Sequence, residues 1–383
     1  MSRFGSKWDC WVLALVCACG LGTAIAGPPA ALAADATTTA TWTAETVDGP
    51  NDLSPFDYME VSLAYDPADG QPSIAYIASA RGALRFAHWT GSSWAIEVVD
   101  SSRVNWVSLA YEAPGVPAIA YRRSTDLRFA KKVASAWSFQ AIDRNTGLRS
   151  SLAYDPLGRP AIAYMVGGKK TNVCKLARWT GALWTLEVID NATCGWISVA
   201  FRGDVPAVAY NDKVNSQVGP DTLKYAEKPG SSWVKATVVT PPGYSDGGDL
   251  AIGPDPDRYP GIVYTGNSPN PAYAYKDANG WHTEDIAVCR YCGYNPELVF
   301  HGAIPWVSYV NDAPEEPGLY RVVKAAYRDA AGQWVVERVE SDPVNLNAWH
   351  SSIAFPPGGD QPGVAHMFPS YALRFARRAP LAP

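Results

Sequence analysis

Four phrases decide the fold: Ser62-Leu63-Ala64-Tyr65-Asp66-Pro67, Pro72-Ser73-Ile74-Ala75-Tyr76, Leu84-Arg85-Phe86-Ala87 and Trp94-Ala95-Ile96-Glu97-Val98-Val99-Asp100. Each is short, rich in β-branched and aromatic residues and bounded by turn residues, which reads as a strand. Asp66-Pro67 to Gly70 is a tight turn, in which proline presets φ and glycine supplies a positive one. Thr90-Gly91-Ser92 joins the third strand to the fourth. Four such strands in succession make one antiparallel unit.

The unit repeats. Ser108-Leu109-Ala110-Tyr111, Pro117 to Tyr121, Leu127 to Ala130 and Trp137 to Asp143 form a second copy, and Ser151 to Tyr154, Pro160 to Tyr164, Lys175 to Ala177 and Trp184 to Asp190 a third. Looser copies are centred on Val205 to Tyr210, Pro260 to Tyr264, Pro305 to Tyr309 and Pro362 to His366. A period of this length with four strands per copy is the signature of a propeller blade. The last copy stops at Ala376 without a fourth strand, while Trp42-Thr43-Ala44-Glu45-Thr46-Val47-Asp48 stands alone as a fourth strand. Pairing the two closes the ring and hides two strand edges. The expected fold is all-β: a seven-bladed β-propeller, four antiparallel strands per blade, with the last blade closed by the N-terminal strand. Trp42, Trp94, Trp137, Trp184, Trp233, Trp281 and Trp334 then occupy equivalent positions and are expected to pack blade against blade.

Around this repeat the chain has 383 residues and a net charge of −5 with no charged runs. That balance carries no electrostatic footprint for nucleic acid. Arg3 and Lys7 precede an apolar stretch from Trp11 to Ala26 and an Ala31-Leu32-Ala33 cleavage site, which reads as a signal peptide over 1–33 and a single mature domain over 34–383. No transmembrane segment is expected. An alternative reading takes Val16-Cys17-Ala18-Cys19 as a lipobox that anchors the chain at Cys19. Four cysteines remain after cleavage, an even number suited to an oxidising compartment. The expected pairs are Cys174 with Cys194 and Cys289 with Cys292.

SLAYDPxGxPxIAY, LRFAxW and GSxWxxExVD, as they occur here, resemble the sialidase-like and fucose-lectin-like bacterial propellers. The resemblance implies the fold and is poor for function, since propellers host many activities. Turns such as Asp277-Ala278-Asn279-Gly280-Trp281 keep only the Asp, Gly and Trp of the sialidase box. No catalytic residue is carried over.

Function is sought where the regular repeat becomes irregular. Two residues before the Ser of each SLAY phrase, at one mouth of the channel, stand Glu60, Trp106, Arg149, Trp196, Gly247, Asn295 and His350. Aromatic faces suit sugar rings, and Arg, Glu and Asn suit hydroxyls. Ordinary loop variability would look the same, with Trp106 and Trp196 lying over the core. Strand three carries Arg85, Arg128, Lys175, Lys224, Lys324 or Arg374, and strand four carries Glu45, Glu97, Gln140, Glu187, Glu284 or Glu337. The resemblance makes these candidates for inter-blade sugar sites, and the plainer expectation is a cross-strand ion pair. His366 stands where other copies have Tyr and is the most enzyme-like departure. No cofactor is implied, although Asp212, Asp221, Asp246, Asp249 and Asp312 are placed to hold calcium. The resulting expectation is a secreted, monomeric, non-catalytic propeller binding carbohydrate at the channel mouth. An envelope-protein scaffold and a polysaccharide hydrolase or lyase are the alternatives.

Overall fold

The computed structural model describes residues 41–49, 60–78, 82–167, 173–191, 194–212, 221–240, 247–254, 260–266, 270–289, 292–311, 321–342, 350–368 and 372–380. The expected signal peptide, Cys19, Asp246 and Asp312 lie outside the described residues. No helix among those residues is long and apolar enough to cross a membrane.

Seven four-stranded antiparallel sheets follow one another along the chain. Blades 1 to 6 span 61–100, 104–143, 146–190, 194–239, 248–285 and 292–342, and blade 7 joins 351–378 to the N-terminal strand. That strand, Trp42–Asp48, pairs with Ala372–Arg378, with Trp42 opposite Arg378 and Thr46 opposite Arg374. The ring therefore closes between the two ends of the chain, as the orphan strand requires.

Packing between blades is as regular as the sequence. The second strand of each blade is the most buried: Pro72–Ala78 is buried at every position. Five of the seven equivalent tryptophans meet an aromatic on the third strand of the preceding blade, while Trp233 packs against the cluster that holds Leu176. Trp94 meets Phe375, Trp137 meets Phe86, Trp184 meets Phe129, Trp281 meets Tyr225 and Trp334 meets Tyr273, all edge-on with centroids 5.3 to 5.5 Å apart. Edge-to-face contact is the favoured geometry for aromatic pairs.

Polar groups stitch the same interfaces. The tyrosine that ends strand two reaches the acid that ends strand four of the preceding blade: Tyr121 to Asp100 at 3.0 Å, Tyr164 to Asp143 at 2.7 Å, Tyr210 to Asp190 at 2.8 Å. In blade 7 His366 takes this place and its Nε2 lies 2.9 Å from Glu340 Oε2. His366 is thus a variant of an inter-blade link.

The register corrects one expectation. Arg85 pairs with Val98 and Glu97 with Phe86, so Arg85 and Glu97 point to opposite faces of the blade. Arg85 bonds instead to Asp48 of the neighbouring blade at 2.7 Å. Glu97 accepts from Lys132 of blade 2 at 2.6 Å, and Glu337 is bound by Arg378 at 2.7 Å and by the Trp42 indole at 3.0 Å. Both sets of charges join blades rather than strands.

Candidate functional site

First strands line the central channel, and along them the blades are tied by a ring of hydrogen bonds. At one position each blade offers an acceptor to the backbone N–H of the next. Leu109 N donates to Ser62 Oγ, Leu152 N to Ser108 Oγ, Val199 N to Ser151 Oγ and Leu250 N to Ser198 Oγ, at 2.9 to 3.2 Å. Leu298 N donates to Asp249 Oδ2 at 3.0 Å, Ile353 N to the Glu297 carboxyl, and Leu63 N to Ser352 Oγ at 2.9 Å. The circle is complete, with serine in five blades and a carboxylic acid in two adjacent ones.

Those two acids were not singled out as a pair from the sequence. Asp249 was expected in a calcium-holding loop. It lies instead on a strand facing the channel, and its carboxyl accepts from Ser198 Oγ at 2.6 Å as well as from two backbone N–H groups. Asp212 is bound by Lys224 at 2.6 Å and Asp221 by Asn211 Nδ2 at 2.9 Å, so these three aspartates do not converge. Among the described residues the one grouping of three metal-ligating side chains is Asp66, Asp69 and His88, on blade 1. There His88 Nε2 lies 3.1 Å from Asp69 Oδ2.

One layer above the ring, toward the mouth, lie the irregular residues. The first strands bulge there: Asn105 pairs with Arg122 and Val107 with Tyr121, which leaves Trp106 as an extra residue. Comparable shifts fall around Arg149, Trp196 and Asn295. Trp106 and Asn295 have φ of 54° and 44°, and Gly247 has 103°. A bulge releases a residue from the ladder and re-aims its side chain. This is why the column varies while its neighbours repeat.

Glu60, Trp106, Arg149, Trp196, Asn295 and His350 all line one cavity of about 540 Å³, together with the ring serines, Asp249 and Glu297. Trp106 is 7 % and Trp196 4 % exposed. Trp196 packs into the core between blades 4 and 5, among Leu223, Leu250 and Tyr264. The Trp106 ring carries the Arg149 guanidinium at 4.7 Å and meets the edge of His350 at 6.4 Å. Glu60 accepts from Val107 N at 2.9 Å and so also bridges blades 1 and 2.

Burial governs the protonation of this channel. It raises Glu60 to about 8, with Arg149 and the Val107 N–H pulling the other way. It raises Asp249 to about 6 against three hydrogen bonds, and holds Glu297 well above the carboxylate range, helped by the negative charge of Asp249. It lowers His350 to about 3, with Arg149 adding to the effect. At neutral pH the channel therefore holds protonated carboxyl groups at Glu60 and Glu297, an ionised Asp249, a neutral His350 imidazole and the Arg149 guanidinium.

Disulfides brace the mouth side. Cys174 at the start of a third strand is bonded to Cys194 at the start of the next blade, with Cα atoms 5.4 Å apart. Cys289 and Cys292 are likewise paired.

No known family profile and no curated protein matches the chain. Solved structures do. A polysaccharide lyase, an ulvan lyase, superposes with a TM-score of 0.61 at 10% identity, over 86% of this chain and 93% of that one. The SapL1 lectin in complex with α-methyl fucoside gives 0.51 at 12% identity, over 73% and 96%. The Aleuria aurantia lectin in complex with Fucα1-6GlcNAc gives 0.50 at 11%, over 73% and 94%. The likeness is one of fold. It agrees with the resemblance seen in the repeat phrases, and the fold is shared by binders and by an enzyme.

Proposed function

We propose that this chain is an exported carbohydrate-binding propeller that takes its ligand at the mouth of the central channel. One observation carries the reading: a single cavity of about 540 Å³ is lined by all six irregular side chains of an otherwise repetitive scaffold. Loops and bulges on a rigid frame are where binding residues collect. The fold neighbours include two lectins solved with fucosides. The Cys174–Cys194 disulfide suits an oxidising compartment, in keeping with a cleaved signal over 1–33 and a monomer of one domain from residue 34.

The test is a glycan array probed with the chain from Ala34 onward and with a Trp106→Ala variant matched for thermal melting. Binding to one saccharide class, lost in the variant, supports the reading. A blank array from folded wild type overturns it.

A second reading, catalysis on a saccharide, is favoured by Asp249 and Glu297. Five blades close the ring with serine, and these two place carboxyl groups side by side in the sequence of blades, beneath the mouth. Paired carboxyls of unlike proton affinity are the equipment of glycoside chemistry. Release of new reducing ends from an array-positive polysaccharide, abolished by Glu297→Gln, would select this reading over simple binding.

A further inference from the structure

Arg149 is the only arginine or lysine lining the channel cavity among the described residues. Its guanidinium rests on the Trp106 ring at 4.7 Å, and no carboxylate of a described residue lies within ion-pair distance of it. Elsewhere the molecule pairs its cations freely: Arg85, Lys132, Lys175, Lys224, Arg328, Arg374 and Arg378 each meet an acid of a neighbouring blade. A guanidinium without an acid partner among the described residues, inside the channel cavity, is a departure from that habit.

Two features keep it available. Across the channel, blade 5 contributes Gly247 to the column of mouth residues. A Cβ there would lie 3.4 Å from Asn295 Oδ1 and 3.7 Å from Arg149 Nη1. Such a Cβ would be in ordinary contact with both, so the missing side chain leaves room for about one methyl-sized group, a carboxylate oxygen for instance, between the Arg149 head and Asn295. The second feature is Glu60, the acid on which the Arg149 charge acts. Its carboxyl is committed to Val107 N and, with a proton affinity of about 8, is mostly neutral at pH 7.

Resting on the carbohydrate reading above, we propose that Arg149 receives the carboxylate of an acidic saccharide, such as a uronate, in the gap at Gly247. A planar carboxylate matches the guanidinium fork with two parallel hydrogen bonds, and the Trp106 face fixes the plane of that fork. A neutral sugar would leave the guanidinium unpaired. The ligand carboxylate and Glu60 are then rivals for one cation. Groups facing Glu60 are Arg149 from blade 3, the Val107 N–H from blade 2 and Glu297 from blade 6. His350, kept neutral, adds no second cation. As pH rises through about 8, Glu60 ionises beside Arg149 and displaces the ligand charge.

Oligogalacturonate, sulfated carrageenan oligosaccharide and neutral laminarin oligosaccharide, titrated calorimetrically into the chain from Ala34 onward, test this. Expected is binding of oligogalacturonate that weakens about 10- to 100-fold in Arg149→Met, the worth of one charge-assisted pair. Glu60→Gln, which keeps an acceptor for Val107 N, should lose the decline in affinity that wild type shows between pH 7 and 9, whatever its affinity at pH 6.5. Laminarin binding alone, or preference for the sulfated probe, overturns the carboxylate assignment and leaves the carbohydrate reading standing. No binding of any glycan by folded protein removes both. Equal affinity of wild type and Arg149→Met for oligogalacturonate also overturns it.

Discussion

Replacing Asp249 by serine restores the acceptor used by five blades, and its effect on stability should change sign with pH. Burial moves the Asp249 midpoint from 3.8 to about 6. A carboxyl whose folded midpoint is raised binds its proton more tightly in the folded state. Its favourable contribution is complete below the unfolded midpoint and is lost as pH climbs through the folded one. Above pH 6 the ionised side chain therefore costs ~3 kcal/mol relative to an ordinary exposed carboxylate. Asp249→Ser removes that cost and also relieves Glu297, whose proton the Asp249 charge holds on. It forfeits the Ser198 contact, about 1 to 2 kcal/mol. The net expectation is a gain of about 1 to 2 kcal/mol at pH 8.5 and a loss of about 1 kcal/mol at pH 4. At about 2 °C per kcal/mol for a large domain, the melting temperature should rise by a few degrees at the higher pH and fall slightly at the lower. Thermal unfolding followed by tryptophan fluorescence from pH 4 to 9 reads both. An offset from wild type that stays constant across that range would refute the reasoning.

Reducing the Cys174–Cys194 bond, or substituting both cysteines by alanine, reopens a loop spanning 20 residues and should cost about 3 kcal/mol. Denaturant unfolding of the double variant against wild type measures it, and an unchanged midpoint would show that the bond constrains nothing. Deleting residues 34–49 removes the strand that covers Ala372–Arg378 and leaves blade 7 with an open edge. The truncated chain should self-associate in light scattering, and adding a synthetic peptide of residues 41–49 should reverse this. A monodisperse truncated monomer would contradict the closure.

The ring of blades was legible because each phrase repeats almost letter for letter, down to the orphan at Trp42. The column of mouth residues was legible for the opposite reason, as variation inside regularity. What the phrases do not carry is register. Arg85 and Glu97 look like partners along the chain, yet an offset of one residue in pairing turns them to opposite faces. A bulge after Leu84 then brings Asp100 opposite Leu84, within reach of Tyr121 in the next blade. Asp249 and Glu297 were in plain view at the serine position, two residues beyond Gly247 and Asn295. Asp249 was read as a calcium candidate and Glu297 not at all; as a channel pair they were missed because the serine column reads as structural, and only the inter-blade bonds reveal that an acid there faces the channel. Trp196 shows the reverse limit. An aromatic at an irregular position reads as a stacking surface, and here most of the ring is spent on the core between blades 4 and 5.

Closure by the N-terminal strand also sets an order in time. Trp42 donates its indole N–H to Glu337, 295 residues away, so this strand is made long before the blade it completes. Until then six blades can stack in sequence, each on its predecessor, while the seventh waits with three strands. The entropic toll of joining such distant ends grows only logarithmically with their separation, so it burdens the rate of completion more than the finished molecule. Cutting the chain between Asp48 and Glu60 and linking residue 380 to residue 41 by a short loop would make every blade continuous. Such a permuted chain would keep the same contacts while replacing a late rendezvous by a local hairpin.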